Sequence, residues 1–175
     1  VRKETEWTLV ETLRHARHDW MNDIQVVKGY LALSKLDEAA RAADHIIVKA
    51  AQESKLCNLG MPGMAELFIT FNWSNHLFRL EYEVDDDVAS GLADDQLVLR
   101  YFSQFFSLIE RHIAEYKDHQ LFVRFSEADD QLFVRMEWMG ALSEQPVFID
   151  QAAALKQEST VTETEDSEIL IEATF

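Results

Sequence analysis

The chain has 175 residues, 47% of them apolar, a single cysteine and a net charge of −16, which excludes a disordered tail and an internal disulfide framework. The excess acid is confined: residues 1–60 carry 9 basic and 9 acidic side chains and residues 61–175 carry 7 and 23, so this surface repels nucleic acid and anionic lipid and its partners are expected to be proteins. No stretch approaches the ~18 apolar residues of a membrane span, no charged-then-apolar leader precedes the first helix, and the lone Cys57 suits a reducing compartment, so the expected location is the cytoplasm.

The spacing predicts a first helix from about Glu4 to Leu33, then a short break at Ser34–Asp37. A second amphipathic run carries Leu36, Ala40, Ala43, Ile47 and Ala50 and ends near Leu59. Gly60-Met61-Pro62-Gly63 reads as a hinge. Beyond it, Met64–His76 reads as an aromatic-rich helix and Phe78–Val84 as a strand. Asp94–Tyr116 reads as a helix capped by Asp94 or Asp95. Gln120–Phe125 and Gln131–Trp138 alternate around a polar turn, as a hairpin does. Gln157–Asp166 reads as a polar loop and Glu168–Phe175 as a last strand.

The expected fold is therefore α+β. It has a helical hairpin over residues 1–60 and an α/β domain over 61–175. One hairpin cannot cover both of its apolar faces, so two copies are expected to pair into a four-helix bundle, making a homodimer.

The first helix carries the most informative residues. Leu13, Ala16, Trp20, Ile24, Val27 and Leu31 recur at three- and four-residue intervals and fall within roughly 80° of the helical wheel. His18 lies roughly 160° from the centre of that stripe, with Asn22 and Gln25 within about 40° of it. A solvated surface histidine is the ordinary outcome, and it is the reading for His45, His76, His112 and His119. His18 differs in having an acid and an amide beside it. An exposed neutral imidazole is a competent nucleophile at neutral pH.

The run His18-Asp19-Trp20-Met21-Asn22 resembles the phosphoacceptor box of two-component histidine kinases. The wider run from Arg17 to Asn22, with Lys28-Gly29, is closer still to the sporulation initiation phosphotransferase B family. So are Glu53-Ser54-Lys55-Leu56-Cys57-Asn58-Leu59, Phe71-Asn72-Trp73 and Leu80-Glu81-Tyr82-Glu83-Val84. These segments keep the family's order and spacing over residues 9–84, and the likeness thins in the C-terminal half.

The resemblance implies a phosphorelay intermediate. In that family a phosphoryl group passes from the aspartate of one response regulator to the histidine, and then to the aspartate of a second. It also implies that the C-terminal domain resembles a degenerate kinase ATP domain. His18 would be the phosphoacceptor, and Asp19 would orient the ring. Asn22 would contact the phosphoryl group or the partner, or be plain helix surface. Arg14 would offset phosphate charge with Gln25 nearby; Arg17 would do the same or pair with Asp19. No cofactor of its own is expected, and magnesium would belong to the partner receiver.

Three other functions compete with the relay. An autophosphorylating kinase needs an Asp-x-Gly-x-Gly and a second glycine-rich box, and none of the five glycines is spaced that way. Its paired asparagines are also missing, since Phe105–Tyr116 offers Glu110 and His112 instead. A zinc site through His15 and His18 lacks converging further ligands. The remaining alternative is a non-enzymatic dimeric scaffold that binds or sequesters a response regulator.

Overall fold

The computed structural model describes residues 8–114, 118–156, 159–163 and 168–175. By its contacts the chain divides into two compact units, 1–51 and 52–175.

The first unit is a helical hairpin. Helix α1 spans Leu9–Ala32 and starts at Thr8 through a capping box. The Thr8 hydroxyl accepts the Glu11 N–H, and the Glu11 carboxylate accepts the Thr8 N–H at 3.0 Å. The Thr8 hydroxyl also donates to that carboxylate at 2.7 Å, and this bond, then the one from the Thr8 N–H, holds the Glu11 carboxyl below the usual carboxylate range. Residues 1–7 lie outside the described residues, so the expected start at Glu4 does too. The chain reverses through Ser34 at φ 58° and a bond from the Lys35 N–H to the Tyr30 carbonyl, 2.9 Å. Helix α2 follows over Leu36–Asn58. An ion pair between Asp23 and Lys49, 3.5 Å, ties the two helices antiparallel.

Helix α1 has no buried residue. Its half-buried positions are Glu11, Thr12, His15, Ala16, Asp19, Asp23, Val27 and Tyr30, a sector of roughly 160° of the wheel. The six-residue stripe expected to be packed is therefore split. Ala16 and Val27 are half-buried, whereas Leu13, Trp20, Ile24 and Leu31 are 52–67% exposed. On α2, Ala39 is buried and Ala42, Ala43 and Ile46 are half-buried, while Leu36 and Ile47 are 67% and 66% exposed. The cause is geometric: one neighbouring helix covers one sector, and both stripes run past it.

The second unit takes in the last two turns of α2, then α3 (Pro62–Phe71), β1 (Arg79–Val84), α4 (Asp95–His112), β2 (Gln120–Ala128), β3 (Gln131–Met139), α5 (Gln145–Ala154), β4 (Ser159–Glu163) and β5 (Ile169–Thr174). The strands form one sheet in the order β1-β2-β3-β5-β4. Only β1–β2 is parallel, and α4 lies on the connection between them, as a parallel pair requires. The β2–β3 hairpin closes on Asp129 and Asp130 at φ 52° and 59°, the left-handed pair of a two-residue turn.

One sheet face is apolar with a period of two. Leu121, Val123 and Phe125, then Val134, Met136 and Trp138, then Ile169, Ile171 and Ala173 are all buried. Phe68 of α3 lies at the centre of the core, 4.8 Å from Phe102 edge-to-face and 5.3 Å from Phe125. Tyr101, Phe105, Phe106 and Phe71 are buried with it, as core spacing predicts.

Several expected boundaries shift for identifiable reasons. The helix expected over Met64–His76 starts earlier, at Pro62, whose missing N–H suits the first turn. It ends at Phe71, because the next residue, Asn72, is engaged elsewhere. The helix expected to run to Tyr116 ends at His112, and Tyr116 itself lies outside the described residues. Asp94 is its N-cap, accepting the Leu97 N–H at 2.9 Å. Asp95 caps a different helix, accepting the Gly63 and Met64 N–H groups of α3 at 3.0 and 2.9 Å. Helix α5 has no counterpart among the expected elements, and β4 occupies part of the expected polar loop.

The segment Gly60–Gly63, expected as a hinge, packs against residues roughly thirty positions further on. Gly60, at φ +78°, ends α2 so close to the next loop that a Cβ would sit 2.7 Å from the Ser90 hydroxyl. The Leu59 carbonyl accepts the Gly91 N–H at 2.9 Å, and Gly63 is held by Asp95.

The outer edge of β1 is answered by side chains. The Arg79 and Asp85 N–H groups donate to β2-side carbonyls, so Leu80 and Val84 turn their backbone groups the other way. Asn72 donates to the Leu80 carbonyl at 2.7 Å and accepts its N–H at 3.1 Å. Gln52 accepts the Val84 N–H at 2.7 Å, and Lys55 donates to the Val84 carbonyl at 3.1 Å. Lys55 also pairs with Asp86 at 2.6 Å, and that hydrogen bond holds the Asp86 carboxyl below its ordinary range. Asn72→Ala removes both bonds to Leu80 and is expected to lower stability by about 1–2 kcal/mol in urea unfolding. An unchanged midpoint would mean that water replaces the amide at no cost.

Candidate functional site

The histidine site lies wholly on α1. Helical geometry places Asn22 one turn beyond His18, so its amide reaches the ring: Asn22 Nδ2 is 3.2 Å from His18 Nδ1. Asp19 approaches the same nitrogen with Oδ1 at 3.5 Å. The His18 side chain is 71% exposed and that of Asp19 39%. Both polar neighbours address Nδ1, and Nε2 has no partner among the described residues.

This arrangement links the tautomer to the Asn22 amide. A neutral imidazole carries one proton. If the Asn22 N–H faces Nδ1, that nitrogen accepts and the proton sits on Nε2. If the amide turns its oxygen inward, Nδ1–H donates to Asn22 and Asp19 together. Nε2 then keeps an exposed lone pair, the state of a nucleophile.

The other expected residues are placed as follows. Arg14, Arg17 and Gln25 are exposed. On the wheel Arg14 and Gln25 share the face of His18, within roughly 40°, whereas Arg17 lies roughly 100° around the helix. Two further residues share the His18 face, Glu11 two turns before it and Gly29 three turns after. A Cβ added at Gly29 would meet nothing within 4 Å. Met21 and Val26, 53% and 51% exposed, flank this face on either side. The wheel that singled out His18 holds the signal for all four. Among the described residues no group of three or more His, Cys, Asp or Glu side chains is placed to hold a metal ion. No described helix is long and apolar enough to cross a membrane.

An exposed histidine with an acid and an amide beside it thus lies on a two-helix hairpin, and a five-stranded α/β unit follows in the chain. Residues 2–59 match the family description "Sensor kinase SpoOB-type, alpha-helical domain", and residues 60–175 match "Sporulation initiation phospho-transferase B, C-terminal". The sporulation initiation phosphotransferase B of Bacillus subtilis (strain 168) is 35% identical over 144 residues, covering 81% of this chain and 75% of that relative. The chain belongs to the sporulation initiation phosphotransferase B family.

Solved structures similar to the chain include the Acinetobacter baumannii histidine kinase AdeS, at 10% identity and a TM-score of 0.44, with 90% of this chain and 96% of that one covered. Another is the blue-light activated histidine kinase EL346 of Erythrobacter litoralis, at 13% identity and a TM-score of 0.45, with 97% and 60% covered. The family assignment rests on the sequence matches.

Replacing Asn22 by Leu leaves the Asp19 carboxylate facing Nδ1. The fraction of His18 carrying its proton on Nδ1 is expected to rise, read from ring ¹⁵N shifts. An unaltered ratio would show that the 3.2 Å contact does not set the tautomer.

Proposed function

We propose that this protein relays phosphoryl groups through His18, taking them from the aspartyl phosphate of one response regulator and giving them to the aspartate of another during initiation of sporulation. The observation that carries the reading is the pairing of both polar neighbours with Nδ1, which leaves Nε2 as the exposed nitrogen. Membership of a phosphotransferase family supplies the class of reaction.

In the forward step the Nε2 lone pair attacks phosphorus in line. The N–P bond forms as the P–O bond to the aspartyl carboxylate breaks, and the carboxylate leaves with the electron pair. The step requires the Asn22 amide to turn its oxygen toward the ring; Nδ1–H then stays in place, stabilised by Asp19 as the imidazole gains positive character. The second receiver's carboxylate reverses these events. Positioning and charge neutralisation dominate such transfers. Arg14 offers one positive charge on the same face, Arg17 supplies a second from the adjacent side, and Gln25 can donate to a phosphoryl oxygen. Magnesium would be bound by the receiver, and the cytoplasm, where receivers reside, is the proposed location.

The surface around His18 suits a protein partner. Polar groups occupy its centre, Met21 and Val26 provide apolar flanks, and Gly29 lets a partner's backbone approach closely. The homodimer belongs to the same proposal. Leu13, Trp20, Ile24, Leu31, Leu36 and Ile47 are all more than half exposed in the single hairpin, and pairing two hairpins buries them in one four-helix core. Residues 1–60 would then act as the dimerisation and phosphoacceptor domain, and residues 61–175 as an α/β domain without nucleotide boxes.

The direct test is phosphotransfer from a radiolabelled receiver to the wild type and to His18→Gln. Acid-labile, alkali-stable label on the wild type alone is expected. Receiver binding without label on either protein would make the chain a sequestering scaffold. For the dimer, light scattering at micromolar concentration should give twice the chain mass for the wild type and a lower mass for Trp20→Glu. A monomeric wild type would overturn the bundle.

A further inference from the structure

Two polar groups of different character meet at one nitrogen of the His18 ring. Asp19 brings a carboxylate oxygen to 3.5 Å from Nδ1, and Asn22 brings its amide to 3.2 Å from the same atom. A carboxylate only accepts, so it favours the ring with a proton on Nδ1. A primary amide presents either an N–H or an oxygen, so it can hold the ring without that proton or with it. The other charged groups on this face are Arg14, one turn before His18, and Glu11, two turns before. Helix α2 covers a sector centred roughly 100° around α1 from His18, and its Lys49 is engaged by Asp23.

Once Nε2 carries a phosphoryl group, the Nδ1 proton decides how long that group stays. In hydrolysis a water oxygen attacks phosphorus, the N–P bond breaks and its electron pair goes to Nε2. With Nδ1 protonated, the ring leaves as neutral imidazole and both water protons remain on the phosphate. With Nδ1 bare, the ring would have to leave as an anion, and the N–P bond persists. The His18 side chain is 71% exposed, so the hairpin offers no wall against water. The lifetime of the phosphoryl group therefore depends on what faces Nδ1.

We infer that Asn22 is a positioning residue that stores the phosphoryl group on His18. Its N–H, turned to the bare Nδ1, holds the neutral, long-lived phosphohistidine against the pull of Asp19. Its oxygen, turned inward, accepts Nδ1–H and readies the ring for transfer. The amide thus opposes Asp19 during storage and joins it during transfer, which neither a carboxylate nor an alkyl side chain can do. This role rests on the relay proposed above.

The test loads the full chain with potassium phosphoramidate, which needs no receiver, subtracts the His18→Gln background and follows loss of the label across the neutral pH range. In the wild type the rate falls as pH rises and Nδ1 loses its proton. Asn22→Leu is expected to move that fall upward by about 0.5–1 pH unit, shortening the life of the label about three- to tenfold on the alkaline side. Asp19→Asn should move it downward and lengthen the life. A merely loosened helix would shift both variants alike, so the opposite signs identify a hold on Nδ1. Equal profiles in the wild type and Asn22→Leu, or a longer life in that variant, would overturn the inference and leave the relay standing if receivers still accept the label. Lifetimes ordered as expected, with no transfer to any receiver, would support it and overturn the relay. No label on His18 would overturn both, since each needs an accessible Nε2.

Discussion

A helix with a single helical neighbour can bury only one sector of its circumference, and α1 lives under that constraint. Its apolar residues outrun the sector that α2 covers, so Trp20 and its row are left facing water. Every assignment in the hairpin follows from this division. The sector toward α2 is fixed by Ala16, Val27 and the Asp23–Lys49 pair. The apolar row beside it requires another surface. What remains, roughly opposite the apolar row, is free for chemistry, and His18 stands there.

The second unit is built on different terms. A one-sided sheet, an aromatic cluster around Phe68 and three covering helices form a core that is complete within residues 52–175. Its local devices are economical. Two adjacent aspartates cap two different helices, and one asparagine both follows the end of α3 and imitates a neighbouring strand for Leu80. Lys55 and Gln52 do for Val84 what Asn72 does for Leu80.

The hairpin, the alternating strands β1 to β3 and the position of His18 were legible because each rests on a periodicity or a short spacing. The missed features depend on contacts distant in sequence. Helix α5 buries only Phe148 and Ala152 and starts beside Pro146, so its amphipathic signal is faint. Strand β4 is Ser159-Thr160-Val161-Thr162-Glu163, polar enough to pass for a loop until it pairs with β5. The glycines at 60 and 63 mark a turn, but only Ser90 and Asp95, some thirty residues on, determine that it is fixed. Nor could the adjacent aspartates reveal from sequence which helix each would cap.

The closure of the β1 edge also bears on how copies of this chain can meet. An unblocked parallel edge strand invites a strand from another molecule, and such pairing propagates into aggregates. Here side chains occupy the backbone groups at Leu80 and Val84, so an incoming strand would have to displace them before gaining its first ladder bonds. Self-recognition through main-chain hydrogen bonds is thereby disfavoured on this side.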